Sequence, residues 1–227
     1  MQATRWKLRC SPARRPSTPG RVAGWTILPA LCAAIAVPAV ASAQVRTAGT
    51  LDSTTISAID RIVAEAGRAG LPIEPLRNKV AEGISKGADG QLIVRAVDRL
   101  RQRLGRAATA LGEAATTPDL VAAAALLDLG ITDTHLMHIR SARPGQPVAS
   151  ALVGLAFLVQ RGAGTDGAVG IVVDMLNARV SDAEFDRFRE TVIRDVQAGA
   201  SVTGAAKARA SAAIQRTGGG FVPGGDT

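Results

Sequence analysis

Two histidines stand three residues apart in His135-Leu136-Met137-His138, and the chain has no others. On a helix that spacing puts both imidazoles on one face, where Asp133 or Asp128 can add a carboxylate oxygen. Two imidazoles and a carboxylate form a ligand set for Zn²⁺, Cu²⁺ or Ni²⁺. A structural zinc site needs four protein ligands, and the only cysteines, Cys10 and Cys32, lie far upstream. No glutamate sits between the histidines as the metalloprotease helix motif requires. The set of His135, His138 and Asp133 therefore describes either a weak or intersubunit metal site or two histidines near a helix start. The chain is expected to need no cofactor.

A second pattern belongs to binding. Arg95, Arg99, Arg103 and Arg106 follow one another in steps of four, four and three. On a helix they form a continuous guanidinium line suited to phosphate or carboxylate groups. A solvated outer helix face has the same appearance.

Catalytic signatures are sparse. There is no G-x-S-x-G, and the serines fall in caps, turns or apolar faces. Carboxylates occur near one another at Glu74/Glu82, Asp128/Asp133 and Asp182/Glu184/Asp186. The last group opens a capped helix, where acids favour the dipole. No glycine-rich loop lies between a strand and a helix to cradle phosphate. An enzyme is not expected, and a hydrolase is the third-ranked reading.

The chain's charge belongs mostly to its address. Residues 1–43 carry six basic residues and no acid, then the apolar run TILPALCAAIAVPAV, then Ala41-Ser42-Ala43. Those are the three regions of a signal peptide, with cleavage expected after Ala43. Of the net +8, only +2 remains in the mature chain, with 21 basic and 19 acidic residues. Both cysteines and both tryptophans leave with the leader, so an exported mature chain has no disulfide to make. Modest charge and the lack of Trp and Tyr argue against a nucleic-acid partner. Export points to the periplasm or the extracellular space, with a protein or an anionic envelope component as partner.

The remaining residues must position these groups, and they read as helices throughout. Pro147–Gly162 is the most apolar stretch: from Pro147 through Val159 its only polar side chain is Ser150. It is too short to span a membrane, so no transmembrane span is expected in the mature chain. It reads as a central core helix with Pro147 at its first position, covered by Leu120–Leu129 on one side and Val169–Leu176 on the other. Gly154 would let a neighbour approach closely.

Ile93, Val97, Leu100, Leu104, Ala107 and Leu111 mark a longer helix with a heptad seam. Thr117-Pro118-Asp119, Thr132-Asp133 and Ser181-Asp182-Ala183-Glu184 are start signals, the last a capping box; Ser53 and Thr54 are candidate caps for the first helix. Ala168–Leu176 is rich in β-branched residues, but no second strand-like run exists to pair with it, so it is assigned to helix. Gly70-Leu71, Gly130-Ile131 and Val180 share one pattern: a helix stop, an apolar residue and a new helix whose first core residue is five on. That pattern suits duplicated hairpins, or any row of helices joined by short turns.

The expectation is an all-α single domain at residues 44–217, of about eight helices, forming an irregular bundle or a short stack of helical hairpins. A signal peptide (1–43) precedes it and a disordered glycine-rich tail (218–227) follows. Its role is non-catalytic binding or structure in the bacterial cell envelope, through an apolar groove between helices or the Arg95–Arg106 face. A metal-responsive protein is the alternative.

Overall fold

A computed structural model describes residues 51–218. The expected signal peptide (1–43) and the expected glycine-rich tail beyond Gly218 lie outside the described residues. Within them the chain forms nine helices and no strand: α1 Ser53–Arg68, α2 Glu74–Ser85, α3 Gly90–Leu111, α4 Thr117–Asp128, α5 Asp133–Ala142, α6 Ala149–Gln160, α7 Thr165–Asn177, α8 Asp182–Gln197 and α9 Val202–Gly218. The β-branched run Ala168–Leu176 is helical, inside α7. No described helix is long and apolar enough to cross a membrane.

The helices sort into two layers. Odd-numbered helices pack in sequence, α1 on α3, α3 on α5, α5 on α7 and α7 on α9; even-numbered helices do the same from α4 to α6 to α8. Contacts of α3 with α4, α6 with α7 and α8 with α9 join the layers. This is a short stack of helical hairpins, the second of the two expected arrangements. The exception is α2. It packs on α3 but makes no comparable contact with α4, so the even layer is interrupted there.

Short connections hold the stack because most helices end the same way. Leu71, Ala88, Ile131, Ala163, Val180 and Ala200 each donate a backbone N–H to the carbonyl five residues back. The residue just before each has positive φ: Gly70, Gly87, Gly130, Gly162, Arg179 and Gly199. This is the Schellman ending, in which a left-handed residue turns the chain and the next, often apolar, residue packs back on the helix. It is the physical content of the repeated stop pattern. It recurs at six helix ends, more widely than the three places where the sequence pattern showed it. Arg179, at φ 57°, does without the glycine that usually carries this conformation.

Helix starts lie one residue or so from the expected positions. Asp52, not Ser53 or Thr54, caps α1, its carboxylate accepting the N–H and hydroxyl of Thr55. Thr116, not Thr117, caps α4, in a full capping box with Asp119. Ser181 makes only half of the expected box: it accepts the N–H of Glu184, but the Glu184 carboxylate goes to Arg187 and Arg216. Pro147 precedes α6, whose N-cap is Val148.

α6 packs on α4, α7 and α8, burying Ala151, Leu152, Gly154, Leu155 and Leu158. The two expected neighbours are present, and α8 is a third. Apolarity all round does not bury it all round, however. Val153 is exposed, and the half-buried Phe157 has the Arg161 guanidinium 5.4 Å from its ring centre. Such cation–π contact gives an exposed ring a polar cover.

At the other end of the stack, α2 is short and weakly apolar, and Leu76 is its only buried residue. Two features hold it. Gly83 admits Ile93 of α3 so closely that a Cβ there would meet Ile93 Cγ1 at 2.7 Å. Glu82 bridges Lys86 and Lys79, which hold its carboxyl down to about 2 from the ordinary 4.5. A depressed carboxylate stabilises the fold above its ordinary pKa, and the contribution fades as pH falls through the folded value. Glu82→Gln should therefore lower the melting temperature at pH values above 4.5, and the difference from wild type should vanish near pH 2. A gap that persists unchanged at pH 2 would count against the bridge.

Candidate functional site

The break in the even layer leaves a groove of ≈ 530 Å³ between α2 and α4, floored by α3. Its two walls differ. On the α4 side it is lined by Val121, Ala124 and Ala125, with Thr117 and Asp128 at the two ends of this apolar wall. The α2 side contributes Glu74, Pro75, Asn78, Lys79 and Glu82, while Leu100 and Arg103 rise from α3. The volume is within the range of small-ligand clefts, and mixed apolar and polar linings are usual there.

The apolar wall exists because α4 has too few partners. α4 is apolar nearly all round, and it buries Leu120, Ala123, Ala124 and Leu126 against its neighbours. With α2 set away from it, Val121 is left 40 % exposed. Leu100, part of the heptad seam, is only half-buried for the same reason.

The arginine line divides here. Arg103 forms an ion pair with Asp128 at the carboxyl end of α4, and Arg106 pairs with Asp133 of α5 at 3.1 Å. Among the described residues no acid is paired with Arg95 or Arg99, and both side chains are exposed. Two of the four thus join α3 to its neighbours, and Arg103 also enters the groove. The carboxylate groups likewise resolve into separate ion pairs, Glu74 with Arg77, Asp182 with Arg143 and Asp186 with Arg189.

The histidine set is also dispersed. His135 Nδ1 accepts the Thr132 N–H, as the third residue of a capping box, and Nε2 stands 3.3 Å from Asp166 Oδ1 of α7. Asp166 is 94 % exposed, so this pair lies at the surface rather than in a cleft. His138 is exposed, and Asp133 is engaged by Arg106. Among the described residues no three His, Cys, Asp or Glu side chains converge to hold a metal ion.

One polar centre had no counterpart among the candidate site residues. Asp119 is fully buried. Its Oδ2 accepts the Thr116 N–H at 2.8 Å and the Thr116 hydroxyl at 2.9 Å; its Oδ1 accepts the Val148 N–H at 2.8 Å. It thus serves α4 as a capping-box acid and α6 as a borrowed cap, since α6 has no capping side chain of its own. Arg140 Nη2 is 3.8 Å from Oδ2, and Arg140 Nη1 donates to the Gln146 carbonyl at 2.7 Å. Arg143 holds the same linker from outside, donating to the Val180 carbonyl and to Asp182. The signal was present as an acid in a first turn, but nothing in the sequence tied it to a helix thirty residues on. Both oxygens of Asp119 are thus occupied within the chain, in contacts that cap two helices.

Compared with protein-family models, with curated proteins and with solved structures, the chain matches none.

Proposed function

We propose that this chain is a non-catalytic binding protein of the bacterial cell envelope, exported through the inner membrane, whose binding surface is the groove between α2 and α4. The observation that carries this reading is the interruption of the even layer. α3, α5, α6 and α7 each have a next-but-one neighbour on both sides, whereas α4 has α6 on one side and, toward α2, an apolar wall that faces solvent across the gap. Exposed apolar surface rimmed by charged residues marks interaction sites in soluble proteins. Between the two binding surfaces expected from the sequence, the groove is favoured because Arg106 is held by Asp133 of α5, away from the groove, while Arg103 enters it beside the apolar wall.

The test uses Nile red, a neutral apolar dye, on the purified chain. Wild type should give a saturable fluorescence increase. Val121→Asp, at an exposed position, should abolish it while leaving the helical circular dichroism and melting curve unchanged. No saturable signal, or one indifferent to Val121→Asp, would overturn the groove reading.

A further inference from the structure

We infer that the groove takes a single-chain anionic amphiphile, an apolar chain ending in a carboxylate or phosphate, with Arg103 holding the head and Asp128 standing in for it when the site is empty of ligand. The inference rests on the groove being the binding surface. Three observations lead to it.

First, Arg103 sits in the groove with its side chain only 21 % exposed, whereas its partner Asp128 is 70 % exposed. The cation is enclosed and the anion is at the rim, so the carboxylate can turn out to water while the guanidinium stays. A pair whose carboxylate already stands in water at the rim is held weakly, so displacing Asp128 costs little. A planar guanidinium accepts either a carboxylate or a phosphate in its place.

Second, the wall that leads away from Arg103 is apolar. Ala125, Ala124 and Val121 continue from Asp128 along α4, and Thr117 to Asp128 covers about 17 Å of helix. One apolar chain can lie along that wall and cover Val121 and Leu100.

Third, an anion has no other support at this point. The carboxyl end of α4 is the negative end of the helix, which repels an anion unless a cation offsets it. Lys79, the other cation of the groove, is paired with Glu82, which Lys86 also holds. Head recognition therefore depends on Arg103 alone, and Asp128 competes with any ligand for it.

Titration calorimetry of the purified chain with decanoate, monodecyl phosphate and decanol tests this. Decanoate or monodecyl phosphate should bind one to one and about tenfold or more tighter than decanol, the margin of one charge-assisted hydrogen-bonded contact. The stronger of the two anions identifies the head. Arg103→Gln should reduce that ligand to the level of decanol. Asp128→Asn should tighten anion binding several-fold and leave decanol unchanged, because it removes the internal competitor; a merely structural ion pair would not give this result. Equal binding of anion and alcohol, or weaker anion binding in Asp128→Asn, would overturn the inference. If no amphiphile binds while Nile red still responds to Val121→Asp, the head-group inference falls and the groove reading stands. If Nile red is indifferent to Val121→Asp, the groove reading itself falls.

Discussion

Replacing Asp119 with alanine should destabilise the domain by about 3–5 kcal/mol, the cost of breaking a buried ion pair by removing one partner. Three donors lose their acceptor at once: the N–H and hydroxyl of Thr116 and the N–H of Val148. Arg140 loses the one carboxylate it meets among the described residues, and its Nε and Nη2 are buried there without a hydrogen-bond partner. For a domain of this size the melting temperature should fall by about 6–20 °C, measurable by circular dichroism. Asp119→Asn keeps an acceptor for Val148 but not the charge, so it should fall between wild type and alanine. Adding Arg140→Met to Asp119→Ala should recover part of the loss, since it removes the orphaned cation. A loss below about 1 kcal/mol for Asp119→Ala would show that α4 and α6 do not depend on this carboxylate.

This expectation also marks what the sequence could carry and what it could not. Local signals translated well. Helix starts fell within a residue or so of their capping motifs, and all-helical class followed from apolar spacing. Even the β-branched segment of α7 was assigned correctly, because a lone strand has no partner for its backbone. The recurring stop was legible as a pattern at Gly70, Gly130 and Val180, although its meaning as a Schellman ending needed the hydrogen bonds.

Long-range placement was not legible. Asp119 and Val148 are 29 residues apart, and no local rule joins them. The groove was hidden for a different reason. An amphipathic helix announces its buried side, but α4 has apolar residues all round, so nothing separates the exposed Val121 from the buried Leu120. Which side is left uncovered depends on where α2 settles, and that is fixed by contacts such as Gly83 on Ile93. The arginine line illustrates the converse. Spacing placed Arg95, Arg99, Arg103 and Arg106 on one helix side, as the geometry requires, yet the ion pairs of Arg103 and Arg106 were set by Asp128 and Asp133 on other helices. The His135–His138 spacing is helical too, but one of the pair is spent on a cap.

Phe185→Ala should cost about 3–5 kcal/mol, the usual range for emptying the site of a buried phenyl ring. The Phe185 side chain is fully buried. Its ring lies against α6 beside Gly154, so the loss would open a cavity between α6 and α8, two helices of the even layer. The same contact makes an opposite prediction for the glycine. A Cβ built on Gly154 meets nothing nearer than Phe185 Cδ1 at 3.5 Å, an ordinary van der Waals distance. The close approach expected at this glycine therefore leaves room for a methyl group. Gly154 also has none of the positive-φ geometry of the helix-ending glycines. Gly154→Ala should then be neutral or stabilise α6 by up to about 1 kcal/mol, the difference in helix propensity between the two residues. Gly154→Leu should instead destabilise, by about 1–3 kcal/mol, because its larger side chain must displace the Phe185 ring. Urea unfolding of the three variants would test the contact. Should Gly154→Ala destabilise by as much as Gly154→Leu, the two helices must approach more closely than this geometry allows. Should Gly154→Leu be tolerated only when combined with Phe185→Ala, the measured coupling would place both residues in one shared volume between α6 and α8.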